Sequence, residues 1–127
     1  MSDKFKKFNK IEQFRNIVKQ VRDYCSYHNE PLPTILFDGT VKLHGTNAAV
    51  GIKDGELYCQ SRSRIITPED DNLGFASFVE ENKSYFEDLF NSFDANHAII
   101  YGEWCGGNIQ SGVALTGLDK MFVIFRV

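Results

Sequence analysis

The sequence predicts an α+β fold of two helices and about five or six short strands. Three observations carry this. Apolar residues recur at helical spacing in two stretches, Asp54-Gly55 joins two strand-like runs, and short apolar segments punctuate the C-terminal third. From about residue 9 to 28, Ile11, Phe14, Val18, Val21 and Cys25 return every three or four positions. That is one stripe of an amphipathic helix, which Pro31 and Pro33 bring to an end. Residues 34–42 read as a strand. Residues 46–53 and 56–60 read as two more, joined by Asp54-Gly55, a pair suited to the positive φ angles of a two-residue hairpin. Residues 61–72 are polar, with Pro68 and the acidic run Glu69, Asp70 and Asp71, and read as a loop. A second helix over about 73–90 uses Phe75, Phe78, Val79, Phe86 and Leu89. Residues 97–101 form a short buried strand, 104–119 a glycine-rich loop, and 121–127 a final apolar strand.

At 127 residues, 43% of them hydrophobic, the chain suits one domain with a modest core rather than a disordered segment. Repeats, low-complexity tracts and linker compositions are absent. No apolar run reaches bilayer length and the N-terminus lacks a signal-peptide pattern, so no membrane association and a cytoplasmic location are expected. Cys25, Cys59 and Cys105 are odd in number and lack CxxC spacing, which favours buried thiols over a zinc site or disulfide framework. Charge is uneven. Residues 1–22 hold seven Lys/Arg against Asp3 and Glu12, a net of +5, so the remainder of this −3 chain carries −8. Such a segment suits phosphate backbones, although a solvated helix face explains it more simply. The apolar strand running to Val127 suggests a larger architecture cut short, with an edge open to pairing.

Three motifs hold candidate chemistry. Lys42-Leu43-His44-Gly45-Thr46-Asn47 places an amine at a strand end beside a glycine that would admit the close approach of a bulky ligand. An amine nucleophile must be partly neutral, so burial or nearby cations have to lower its pKa from about 10.4. The uncharged Thr40 and Val41 suit that demand. Ser61-Arg62-Ser63-Arg64 offers guanidinium forks for phosphate or ribose. Tyr101-Gly102-Glu103-Trp104 presents a carboxylate for ribose hydroxyls or a metal. Each alone is common in proteins without such a role. The combination, in this order on neighbouring strands, is specific.

The set resembles the covalent nucleotidyltransferases, whose signature is Lys-x-Asp/His-Gly. The variant His44-Gly45-Thr46-Asn47 is similar to ATP-dependent RNA ligases of the RNA ligase 2 and RNA-editing ligase type. Residues 5–14, FKKFNKIEQF, resemble that family's N-terminus, YGEWCGGNIQ its third motif, and the terminal FVIF the strand that follows. The resemblance covers almost the whole chain. It implies mainly antiparallel sheets with flanking helices around a nucleotide cleft, a partial nucleotidyltransferase (ATP-grasp-like) adenylation domain. It further implies Lys42 as nucleophile, forming a lysyl-AMP adduct from ATP with Mg2+, and RNA with 5′-phosphate and 3′-hydroxyl ends as substrate. His44 would assist near the phosphates and Asn47 near the reacting ends. Arg62 and Glu103 would hold the ribose, with Glu103 also a possible metal ligand. Phe125, or Phe122 in reserve, would stack on adenine beside Gly45.

The family pattern continues with a Glu-Gly strand and a Lys-x-Lys strand that holds the triphosphate. Neither follows residue 104 here, and Arg126 stands where an acid is expected. The isolated chain is therefore expected to be feeble in self-adenylylation, as in a split or truncated viral (phage-like) gene working in the host cytoplasm. A complementing C-terminal half, or self-association through the terminal strand, would fit. The alternative is a non-catalytic nucleotide- or RNA-binding remnant.

Overall fold

The computed structural model describes residues 3–127, which fall into two compact units: residues up to Phe8 together with Lys42–Val127, and Asn9–Val41. The first unit is built on a five-stranded sheet. Its strands are β1 (Gly45–Lys53), β2 (Glu56–Ser61), β3 (Ile65–Ile66), β4 (His97–Cys105) and β5 (Met121–Arg126). Their spatial order is β3-β2-β1-β4-β5, and every neighbouring pair is antiparallel. The α+β reading is therefore correct, with three helices and five strands among the described residues.

Asp54 (φ 50°) and Gly55 (φ 82°) are both left-handed, as a two-residue hairpin requires, and this turn sets the β1–β2 register from Lys53↔Glu56 to Ala48↔Ser61. Side chains then alternate across the pleat. Ala48, Val50, Cys59, Ile100 and Trp104 join a core with Phe75, Ala76 and Val79 from helix α2 (Phe75–Glu81) and Phe86 and Phe90 from α3 (Lys83–Asn91). Asp71 caps α2. Its carboxylate accepts from the Ala76 N–H (2.8 Å), the Ser77 N–H (2.9 Å) and the Ser77 hydroxyl (2.8 Å), satisfying donors that a helix start leaves unpaired.

The opposite sheet face meets the N-terminal residues. The Lys6 N–H donates to Gln60 Oε1 (3.1 Å) while Gln60 Nε2 donates to the Lys6 carbonyl (2.6 Å), so a fully buried amide completes its hydrogen bonds against main chain. Lys4 pairs with Glu56 (3.1 Å), Asp3 pairs with Lys53, and the Phe8 ring meets Tyr101 edge-on at 4.8 Å. Part of the basic N-terminal charge is thus spent on the acidic body.

The second unit holds α1 (Phe14–His28), closed by Asn29 in a left-handed conformation, with Phe14 against Phe37 at 5.1 Å. This helix starts five residues later than the periodicity suggested. No helix is long and apolar enough to cross a membrane.

Four further readings are corrected. Residues 34–42 are not a strand; they join no ladder, and Leu36 and Val41 are exposed. The single helix over 73–90 is broken at Asn82 (φ −112°, ψ 25°), whose side-chain amide (2.8 Å) and backbone N–H (3.1 Å) both donate to the Phe78 carbonyl. The polar stretch 61–72 contains β3, since Ile65 and Ile66 pair with Gln60 and Cys59. Finally, β4 runs on through Trp104 and Cys105, because both pair with Thr46 and Gly45.

Candidate functional site

Lys42 and His44 immediately precede β1 and are exposed. The ladder starts at Gly45, opposite Cys105, and continues through Thr46↔Trp104 and Asn47↔Glu103. A Cβ on Gly45 would overlap the Trp104 carbonyl oxygen and Cys105. Glycine is thus required so that β4 can pass.

Glu103 lies on the face away from the helices and accepts the Gly45 N–H through Oε1 at 3.1 Å. Burial pushes its carboxyl above the ordinary 4.5, while the Gly45 hydrogen bond and the nearby Lys42 and His44 pull the other way. The KLHGTN segment and the strand-end acid are thereby brought together. Arg62 follows Ser61, the last residue of β2, which pairs with Ala48. Asn47, Glu103 and Val123 form a row across three strands.

The two arginines of the Ser61–Arg64 motif differ. Arg64 donates to the Asp70 carboxylate (2.8 Å), the Asp70 carbonyl (3.1 Å) and the Asp71 carbonyl (3.3 Å), and so ties down its own loop. Arg62 is exposed and makes no ion pair or hydrogen bond among the described residues. The aromatic candidates also separate. Phe122 turns to the core, its ring 4.9 Å from Phe75 and packed over Gly102. Phe125 is 58% exposed at a register slip in which Tyr101 pairs with Arg126 and Gly102 with Ile124, leaving it as the extra residue. That occupancy leaves Phe125 as the free aromatic of the pair.

Val41 is 89% exposed and Lys42 is exposed, so neither side chain is packed in an apolar setting. Among the described residues no three His, Cys, Asp or Glu gather as a metal site. A cavity of about 370 Å³ lies instead between β2, β3 and α2, lined by Leu57, Cys59, Ile66, Ala76 and Val79 and by none of the site residues. Burial pushes the Cys59 thiol there up to about 12, which makes it an inert core group.

Sequence reasoning missed Gln110. Its Nε2 donates to the Gly45 carbonyl (3.2 Å), so both polar groups of Gly45 are held by side chains. The only sequence signal was its place at the end of YGEWCGGNIQ.

Comparison with individual curated proteins gives no match. The sequence profile of the RNA ligase family matches residues 37–127, a span that takes in Lys42, Arg62, Glu103 and every strand of the sheet. The chain belongs to the RNA ligase family.

Proposed function

We propose that this chain carries the nucleotide-accepting step of ATP-dependent RNA ligation, with Lys42 as the acceptor. The observation that carries the reading is the junction at Gly45. Glu103 holds the peptide that follows His44, and Lys42 and His44 lie within electrostatic reach of that carboxyl.

The Lys42 amine, having given up a proton, attacks the α-phosphorus of ATP. A nitrogen–phosphorus bond forms, the bond from that phosphorus to the bridging oxygen breaks, and pyrophosphate leaves. The AMP group then passes to an oxygen of an RNA 5′-phosphate, which frees Lys42. A 3′-hydroxyl finally attacks that 5′-phosphorus and expels AMP. Chemistry of this kind rests on positioning and charge stabilisation more than on covalent help from the protein. Mg2+ would arrive with the triphosphate and neutralise its oxygens. Arg62, with its guanidinium uncommitted, and Glu103 would bracket the ribose. His44 would face the phosphates, Asn47 the reacting ends, and Phe125 the base.

The test uses α-labelled ATP and Mg2+ with the wild-type chain, Lys42→Ala and Arg62→Ala. The expected result is a covalent label that Lys42→Ala abolishes and Arg62→Ala weakens. A label that survives Lys42→Ala overturns the assignment. No label from any chain, with AMP or RNA still bound, would instead identify a non-catalytic binding module.

A further inference from the structure

Lys42 to His44 make no main-chain hydrogen bond among the described residues, so their direction is set by the first peptide that is held. That peptide is at Gly45. Glu103 accepts its N–H (3.1 Å), but a carboxylate cannot hold a carbonyl, and the Gly45 carbonyl needs a donor. Gln110 Nε2 supplies one at 3.2 Å. Its loop is cross-linked rather than loose. Thr116 Oγ1 donates to the Gln110 carbonyl (3.0 Å), the Val113 N–H donates to Thr116 Oγ1 (3.3 Å), and the Gly107 N–H donates to the Leu118 carbonyl (2.6 Å). Gly106 (φ 91°) has the Asp119 carbonyl where a Cβ would stand, which pins the neck of the loop.

We infer that Gln110 is a positioning residue for ligation, holding the Gly45 carbonyl so that Lys42 and His44 leave the strand head in one direction. It acts through Gly45 and does not touch the reacting phosphorus. The inference rests on the reading of Lys42 as acceptor. Because the side chain is exposed, substituting it leaves the core untouched.

The variants Gln110→Ala, Gln110→Glu and Gln110→Lys in the full chain separate the roles. The Glu variant keeps the shape and loses the donor, whereas the Lys variant keeps a donor of similar reach. Two quantities are measured: the rate of Lys42 labelling as a function of ATP, and amide hydrogen exchange across residues 45–47 without nucleotide. The Ala and Glu variants should label with kcat lowered about tenfold and KM for ATP changed by less than about twofold, the size of one lost hydrogen bond expressed in the rate. Exchange at 45–47 should quicken in both, and Gln110→Lys should restore both readings. Unchanged exchange in Gln110→Glu overturns the inference, as does a rise in KM alone, which would mark Gln110 as a substrate contact. A wild-type chain that takes no label overturns the Lys42 reading, not the clamp, and hydrogen exchange then decides the clamp by itself.

Discussion

The central strands present one sheet face with two contrasting ends. At the Lys53 end, Lys53, Glu56, Tyr58 and His97 each have a partner within the chain. Lys53 pairs with Asp3, Lys4 with Glu56, and the Tyr58 hydroxyl lies 2.7 Å from His97 Nε2, its ring filling the space over Gly51. At the Gly45 end the main chain is clamped as firmly, yet Lys42, His44 and Arg62 stand exposed, and none forms an ion pair among the described residues. Where charges pair within the chain they hold the fold together; where a held backbone carries exposed basic side chains outside ion pairs, they remain open to solvent and to an incoming anion.

The sharpest way to break this comparison is Lys42→Ala. It should abolish covalent labelling while leaving the thermal midpoint within the small range of surface substitutions, about 0.5 kcal/mol. A large loss of stability would show that the open end is structural after all. The closed end should respond in the opposite sense. Gln60→Leu leaves the Lys6 N–H and carbonyl unpaired and should cost about 2 kcal/mol in urea unfolding, with any labelling by the folded protein retained. Tyr58→Phe, which removes one partly buried hydrogen bond, should cost about 1 kcal/mol.

The pH dependence is smaller and separates the ends by sign. Burial, together with the nearby Lys6 and Lys53, holds His97 below its ordinary 6.5, so the folded state favours the neutral ring. Its contribution is present above about pH 6.5 and lost as pH falls, and His97→Gln should flatten the urea midpoint between pH 7.5 and 5. For Glu103 the sign reverses. Its carboxyl is raised, so its contribution is present below 4.5 and lost as pH rises through the folded value. Glu103→Gln keeps an acceptor for the Gly45 N–H and removes the charge. It should be slightly more stable than wild type at pH 7 and equal to it at pH 4.

Much of the fold was legible because its signals are local. Asp54-Gly55 specified a hairpin by its own backbone preferences, and the alternation on either side chose which residues entered the core. The break at Asn82 was not legible, since the apolar period runs through it and no proline or glycine marks the residue that leaves helical dihedrals. Nor was β3, whose two residues become a strand only because Cys59 and Gln60 offer an edge. For the candidate site, the motifs singled out Lys42, Arg62 and Glu103 as candidates by residue type and order. They could not say that Arg64 would be consumed by Asp70 and Asp71, that Phe122 would turn inward, or that Gly45 serves the passage of β4.

The sequence by itself determined the α+β class, the central hairpin and the KLHGTN motif, because each is written in neighbouring residues and their periodicity. Tertiary structure decided which charges stay open. Gln60 is answered by Lys6 at a separation of 54 residues, Glu103 by Gly45 at 58, and Gln110 by Gly45 at 65. Pairings at such distances follow from sheet register and loop closure, which no local pattern encodes.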